Sequence, residues 1–194
     1  MNFRRRRLLH KIERARPADD AESFVPCARA LILLELGLDL VADTETVLAA
    51  LKVATQPLIV SHTGLDSRTG GNPRMAEMMK PHLIGKERAK AVAGAGGAIG
   101  VWTKLAGSPK EFAENIKAMV DVIGIGHVGI GTDTDLLSSR AGQGTNRAWP
   151  GLSGGLFYAV AGEMLLQGFT PDDMGKIGGG NLCRVFGKVT AGRA

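Results

Sequence analysis

The chain has 194 residues, enough for one domain with a substantial core but short of the roughly 250 residues of a complete eight-stranded α/β barrel. Its net charge of +5 is concentrated at the N-terminus, because residues 1–16 hold seven Lys or Arg and one acid, Glu13, leaving the remainder at −1. The remainder of the chain therefore has no excess of basic residues that would indicate binding to nucleic acid. The two cysteines, Cys27 and Cys183, exclude a disulfide framework, and we expect a cytoplasmic location.

The N-terminal part of the chain differs in character from the rest. Residues 1–27 are predicted to be a basic, disordered tail, and residues 28–194 a single domain. The apolar stretch 28–41 contains Glu35 and Asp39 and is too short to span a bilayer. No transmembrane segment is therefore predicted.

From residue 36 onward, short apolar runs alternate with amphipathic stretches. The apolar runs predict four strands, at 36–41, 57–62, 98–102 and 127–133. The amphipathic stretches predict helices at 44–54, from Pro73, at 86–95, from Pro109, at 156–166, from Pro171 and at 181–189. This alternation indicates an α/β fold with a parallel sheet, and four strands amount to about half of a (β/α)8 TIM-type barrel.

Local signals mark several helix ends. Ser108, followed by Pro109 and Glu111, predicts a capping box. Asn181 is predicted to cap the last helix, and the glycine run 178–180 to end the one before it.

Two of the predicted strands end on side chains that suit catalysis. His62 ends the run 57–62, and Asp133 ends the run 127–133. In α/β barrels the chemistry sits at the C-terminal ends of the strands, and histidine is a common zinc ligand. His127 precedes its strand and is predicted to be structural, as are His82 and Asp135. Trp149 has two open interpretations, lining a pocket or covering the core.

Five segments, taken together, resemble the membrane (renal-type) dipeptidase family of zinc peptidases over about residues 43–190. They are PLIVSHT at 57–63, NPR at 72–74, GGAIGV at 96–101, HVGIGTDTD at 127–135 and GNLCRVF at 180–186. The resemblance implies a barrel with two bridged zinc ions that hydrolyses dipeptides, including some with a D-residue in the second position. The match falls on the C-terminal half of that barrel, so the predicted fold is a partial (β/α)8 TIM-type barrel.

The resemblance also implies roles for three residues. His62 corresponds to a zinc-binding histidine. Arg74 corresponds to the arginine that binds the substrate carboxylate, for which a planar guanidinium is suited. Asp133 corresponds to the aspartate that contacts the substrate amine and the reacting centre, so it is predicted to be both catalytic and substrate-binding.

Other metal ligands of the family have no counterpart here. No His-x-Asp pair of a first strand, no bridging Glu and no second zinc histidine is present, since Val41-Ala42 follow Asp39-Leu40 where that histidine is expected. We therefore expect a truncated family member with partial zinc binding and little activity as an isolated chain. Two alternatives stay open: a non-catalytic half-barrel that acts through self-association or a partner, and a different metal-dependent amidohydrolase.

Overall fold

A parallel sheet organises the computed structural model of this α/β chain. The structure describes residues 47, 50–52, 54–68, 77–133, 149, 152 and 155–190. Within these ranges the sheet has three strands in the order β1-β2-β3. They are β1 (Ile59–Thr63), β2 (Ala98–Trp102) and β3 (Val128–Gly131). The predicted strands that begin at 57, 98 and 127 are thus confirmed within two residues at each end, and the run 36–41 lies outside the described residues.

Helices connect and follow the strands. They are α1 (Lys86–Gly94), α2 (Pro109–Ile123), α3 (Leu156–Leu166), α4 (Pro171–Gly175), which continues into a π-helical turn (Lys176–Gly180), and α5 (Asn181–Thr190). Short 3-10 turns occur at Lys80–His82, Thr103–Leu105 and Ile125–His127. Residues 47, 50–52 and 77–79 are also helical. None of the helices described is long and apolar enough to cross a membrane.

Two helix starts are fastened by side chains. The Ser108 hydroxyl accepts a hydrogen bond from the Glu111 amide (3.1 Å), whereas the Glu111 carboxylate accepts from the Gly107 amide (2.7 Å), one residue before the cap. The capping box of α4 is complete, because Thr170 and Asp173 exchange hydrogen bonds. The backbone and side-chain hydrogen bonds from Thr170 hold the pKa of the Asp173 carboxyl below its ordinary value.

The main core lies between the sheet and the helices. Residues that share one face of the strands, namely Val60, Ile99, Val101 and Val128, belong to the same buried cluster as Phe112, Ile116 and Met119 of α2. These α2 positions recur at i, i+4 and i+7, the spacing of one helix face. A second, smaller cluster contains Met79, Leu83, Trp102 and Leu105. Since successive strand residues point to opposite faces, Trp102 lies on the face opposite Val101.

The register between β1 and β2 contains a bulge at Ser61-His62. Val60 pairs with Ile99 but Thr63 pairs with Val101, so three steps along β1 match two along β2. In an unbroken strand His62 would share the face of Val60. The extra residue in the bulge interrupts the alternation of side chains between the two faces. The His62 ring therefore contacts the ring of Trp102 on the face opposite Val60.

Two glycines make room for the bulge. A Cβ at Gly100 would collide with the Ser61 carbonyl and lie 3.1 Å from the Cα of Gly131. A Cβ at Gly131 would collide with the same carbonyl and lie 2.8 Å from both Cα and Cβ of His62. Gly100 and Gly131 are therefore required by the close approach of β1 to β2 and β3.

The other end of the sheet is held by side chains from α5. The Asn181 amide nitrogen donates to the carbonyls of Ile125 (2.7 Å) and Val128 (2.8 Å). The Arg184 guanidinium donates to the carbonyls of Gly96 (2.9 Å) and Gly126 (2.8 Å).

His127 joins the same end of the sheet through its Nδ1, 2.8 Å from the Gly97 carbonyl, which confirms its structural role. The prediction that Asn181 caps α5 is wrong. Its backbone is already helical, with φ −68° and ψ −39°, and its side chain is used to brace the strands.

The double hydrogen bond of Asn181 leads to a stability prediction. Asn181→Ala removes the hydrogen bonds to two carbonyls, one part-buried and one buried, so we expect the free energy of unfolding to fall by about 1–3 kcal/mol, at about 0.5–1.5 kcal/mol for each bond. Asn115→Ala is the matched control, since Asn115 accepts one solvent-exposed bond from Arg68. Urea denaturation of both variants measures the difference, and an equal effect would contradict the bracing role.

The close approach at the bulge predicts a second loss. Gly131→Ala places a methyl group against the Ser61 carbonyl and His62, so we expect destabilisation of about 2 kcal/mol or more from overpacking. Gly162→Ala, inside α3 with open space around its Cα, is expected to stabilise by about 0.5–1 kcal/mol. Thermal unfolding of the two variants checks the sign, and a stable Gly131→Ala protein would mean that the strands separate without cost.

Candidate active site

Three consecutive strand ends meet at one edge of the sheet. His62 lies one residue before the end of β1, Trp102 ends β2, and Asp133 follows β3 by two residues. Because the strands are parallel, their C-terminal ends lie side by side. The structure thus brings together two of the three residues singled out in the sequence, His62 and Asp133. Arg74, the third, lies outside the described residues.

The imidazole of His62 faces the carboxylate of Asp133. Nε2 of His62 lies 3.8 Å from Oδ1 of Asp133, and the side chains are 12% and 45% exposed. This distance is too long for a direct hydrogen bond. Both groups therefore keep the capacity to contact a third group placed between them.

Asp133 reaches this position through an unusual backbone conformation. Its φ is +52°, and among the non-glycine residues described it is the one with a positive φ. Asp and Asn adopt the left-handed region more readily than other side chains, and such conformations cluster at functional sites. Alternation along β3 does not specify this turn, so the sequence did not reveal it.

The other ring nitrogen of His62 has a partner of its own. Oγ of Ser61 lies 3.0 Å from Nδ1 of His62. With Nδ1 contacted by the hydroxyl and Nε2 facing Asp133, the two nitrogens have separate environments. Sequence reasoning passed over Ser61, although its place directly before His62 was a usable signal.

Trp102 supports the histidine from the middle strand. The ring centroids of His62 and Trp102 lie 5.0 Å apart with an interplanar angle of 55°. The ring of His82 contacts the edge of the same indole at 6.3 Å, and the Lys104 ammonium lies 5.4 Å from its centroid. His82 therefore packs against the same indole ring as His62, which is the contact expected of a structural residue. The sequence analysis did not single out Trp102, although it ends a predicted strand at the same edge of the sheet as His62.

The position of Trp149 decides between its two interpretations. Its indole nitrogen donates to the Ala106 carbonyl (2.9 Å), and its ring packs on Phe112 at 6.0 Å. Phe112 is fully buried in the main core. Trp149 thus covers the core, while Asp135 lies outside the described ranges.

The described side chains do not complete a zinc site. A catalytic zinc ion usually takes three protein ligands and keeps one position open. Nowhere in the described ranges do three His, Cys, Asp or Glu side chains come together in a way that could hold a metal. His62 and Asp133 form a pair without a third ligand, so this part of the chain alone does not fit the zinc centre that the resemblance implies.

Comparison with known proteins agrees with the fold and the sequence motifs. The model of the membrane dipeptidase family, peptidase family M19, matches residues 39–194. A comparison with curated proteins finds no match.

Solved structures of low sequence identity share the fold. The probable dipeptidase PvdM from Pseudomonas aeruginosa is 15% identical, with a TM-score of 0.65 over 85% of this chain and 53% of that one. A metallo peptidase from Rhodobacter sphaeroides, liganded with a phosphinate mimic of the dipeptide L-Ala-D-Ala, is 16% identical, with a TM-score of 0.68 over 87% of this chain and 46% of that one. An amidohydrolase from P. aeruginosa is 18% identical, with a TM-score of 0.61 over 85% of this chain and 56% of that one.

The chain spans about half the length of these structures. The family match covers most of the chain. The solved structures share its α/β architecture, and in this chain that architecture brings His62 and Asp133 together. The chain therefore belongs to the membrane dipeptidase family, peptidase family M19.

Proposed function

We propose that this chain carries the substrate-facing part of a zinc-dependent dipeptidase site, built on the C-terminal half of a (β/α)8 TIM-type barrel. The observation that carries the proposal is the meeting of His62 and Asp133 at the C-terminal ends of β1 and β3 in a chain of the M19 family. A dipeptide substrate agrees with the dipeptide mimic bound by the structurally similar R. sphaeroides enzyme.

Each proposed site residue has a task that follows from its chemistry. His62 offers a neutral imidazole nitrogen, which suits a zinc ligand. Asp133, half-exposed beside it, attracts the ammonium group of a dipeptide and orients it at the edge of the sheet. Arg74 offers a fork of N–H donors that matches the carboxylate of a dipeptide.

Zinc, when bound, makes a coordinated water nucleophilic near neutral pH and polarises the scissile carbonyl. The described residues supply one histidine toward such a centre. We therefore propose partial zinc binding and weak hydrolysis by the isolated chain. The missing ligands set this limit.

Zinc binding gives the first test of this function. After dialysis against zinc, the purified chain is expected to retain fewer than two ions per chain by elemental analysis, because ligands for a paired site are missing. His62→Ala is expected to lower the bound zinc, whereas His82→Ala, the matched histidine control behind the same indole, is expected to leave it unchanged. Two tightly bound ions, or zinc binding that does not depend on His62, would contradict the proposal.

Hydrolysis measured on the same preparations completes the comparison. We expect cleavage of Gly-D-Ala close to background, with any residual activity lost in His62→Ala and kept in His82→Ala. Robust, chelator-sensitive cleavage would show that other residues, or a second chain, complete the site.

The second candidate function is assembly through the open parts of the structure. Within the described sheet, β1 and β3 each pair with one neighbour only, so each has an edge free of strand partners. Helix α3 also exposes large apolar side chains, with Phe157 at 59%, Tyr158 at 80%, Leu165 at 52% and Leu166 at 82%. Unpaired edges and exposed apolar surface favour association with a second copy or a partner.

Self-association is therefore expected to depend on concentration. Light scattering across a dilution series should detect dimers or larger species. An obligate interface between two copies would bury on the order of 2,000 Å² or more. Phe157→Ser with Leu166→Ser is expected to shift the series toward monomer. A cooperatively folding monomer at every concentration would remove the assembly hypothesis and would mean that residues outside the described ranges cover these surfaces.

A further inference from the structure

The two nitrogens of His62 are held in different ways. Nδ1 lies 3.0 Å from Oγ of Ser61, within hydrogen-bond range. Nε2 lies 3.8 Å from the Asp133 carboxylate, outside that range. Nδ1 is thus engaged by a neighbour on its own strand, and Nε2 is the nitrogen that faces the candidate active site.

Packing restricts the plane of the imidazole. The His62 side chain is 12% exposed, and its ring centroid lies 5.0 Å from that of Trp102, which is itself 5% exposed. The bulge at Ser61-His62 brings both side chains to this edge, where the absence of a Cβ at Gly100 and Gly131 allows the close approach of β1. A ring turned by half a rotation would lose the Ser61 contact and place a carbon atom against its hydroxyl.

We propose that Ser61 is a positioning residue that engages Nδ1 of His62 and thereby leaves Nε2 as the nitrogen presented to any group bound beside Asp133. This inference deepens the proposed function and rests on it for the identity of the bound group only. The hydroxyl suits the task because it both donates and accepts. When it accepts from Nδ1–H, the lone pair of Nε2 is left for the bound group, and this tautomer is the one that Ser61 favours.

The role differs from simple packing because it depends on a hydroxyl. A partner of this kind fixes the tautomer and orientation of a histidine, and removing such partners typically costs about 10–100-fold in ligand affinity at comparable sites. Ser61→Ala removes the hydroxyl and keeps the volume nearly unchanged. Ser61→Thr retains the hydroxyl and is the conservative rescue.

The test is nuclear magnetic resonance of the histidine ring in the full chain, labelled with ¹⁵N-histidine and free of metal. Long-range ¹H–¹⁵N spectra recorded at about pH 9 distinguish protonated from bare ring nitrogens. His62→Ala identifies the His62 signals. The wild-type chain and Ser61→Thr are expected to show two well-separated nitrogen shifts, the mark of one dominant tautomer.

Ser61→Ala is expected to bring the two shifts together, because both tautomers then become populated. Ser108→Ala, which removes a serine hydroxyl at the start of α2, is the matched control and is expected to leave the His62 shifts unchanged. Ser61→Gly replaces Ser61→Ala if the alanine variant does not fold. Averaged shifts in the wild-type chain, or shifts unaffected by loss of the hydroxyl, would overturn the proposal. Since the sample contains no zinc, failure of zinc binding and failure of this inference are separate results.

Discussion

The site depends on one steric constraint, the absence of a Cβ at Gly100 and Gly131. The Ser61 carbonyl occupies the space that side chains at these positions would need. This contact allows two residues of β1 to oppose one residue of β2, and the bulge moves His62 from the core face to the face of Trp102. A regular strand would bury the imidazole among the aliphatic side chains of the helix-facing core, away from Asp133.

The side chains at the two ends of the sheet make different kinds of contact. At the N-terminal end, Asn181, Arg184 and His127 contact backbone carbonyls and fasten α5 to the strands. At the C-terminal end, the side chains of His62 and Asp133 face each other without a direct hydrogen bond. In barrel enzymes generally, residues at the N-terminal ends of the strands serve stability and those at the C-terminal ends serve chemistry. Asn181 and Arg184 of the motif at 180–186 therefore brace the strands at the end opposite His62 and Asp133.

Membership of the M19 family leads us to expect a metallodipeptidase, whereas the described site lacks the ligands of a complete metal centre. The family match covers residues 39–194, yet the chain spans about half the length of the solved structures it resembles. In the described ranges the site has one histidine and one aspartate, while the sheet edges and the apolar surface of α3 are open. The described part of the chain therefore offers a pair of side chains and not a complete metal centre. Association with a second chain would bury the apolar surface more readily than it would complete a metal centre. The reason is that burial of apolar area is less demanding in geometry than metal coordination.

The sequence by itself determined the features that depend on near neighbours. Periodicity predicted strand 98–102 and helix 156–166, and the apolar runs placed His62 and Asp133 at strand ends. Tertiary structure alone decided the bulge, the positive φ of Asp133 and the bracing role of Asn181, a residue whose type and position had indicated a cap. The physical reason is that a cap or a helix face is set within a few residues, whereas register and close approach depend on backbone atoms tens of residues away. Local patterns do not specify those distances, and the packing of three strands against one another does.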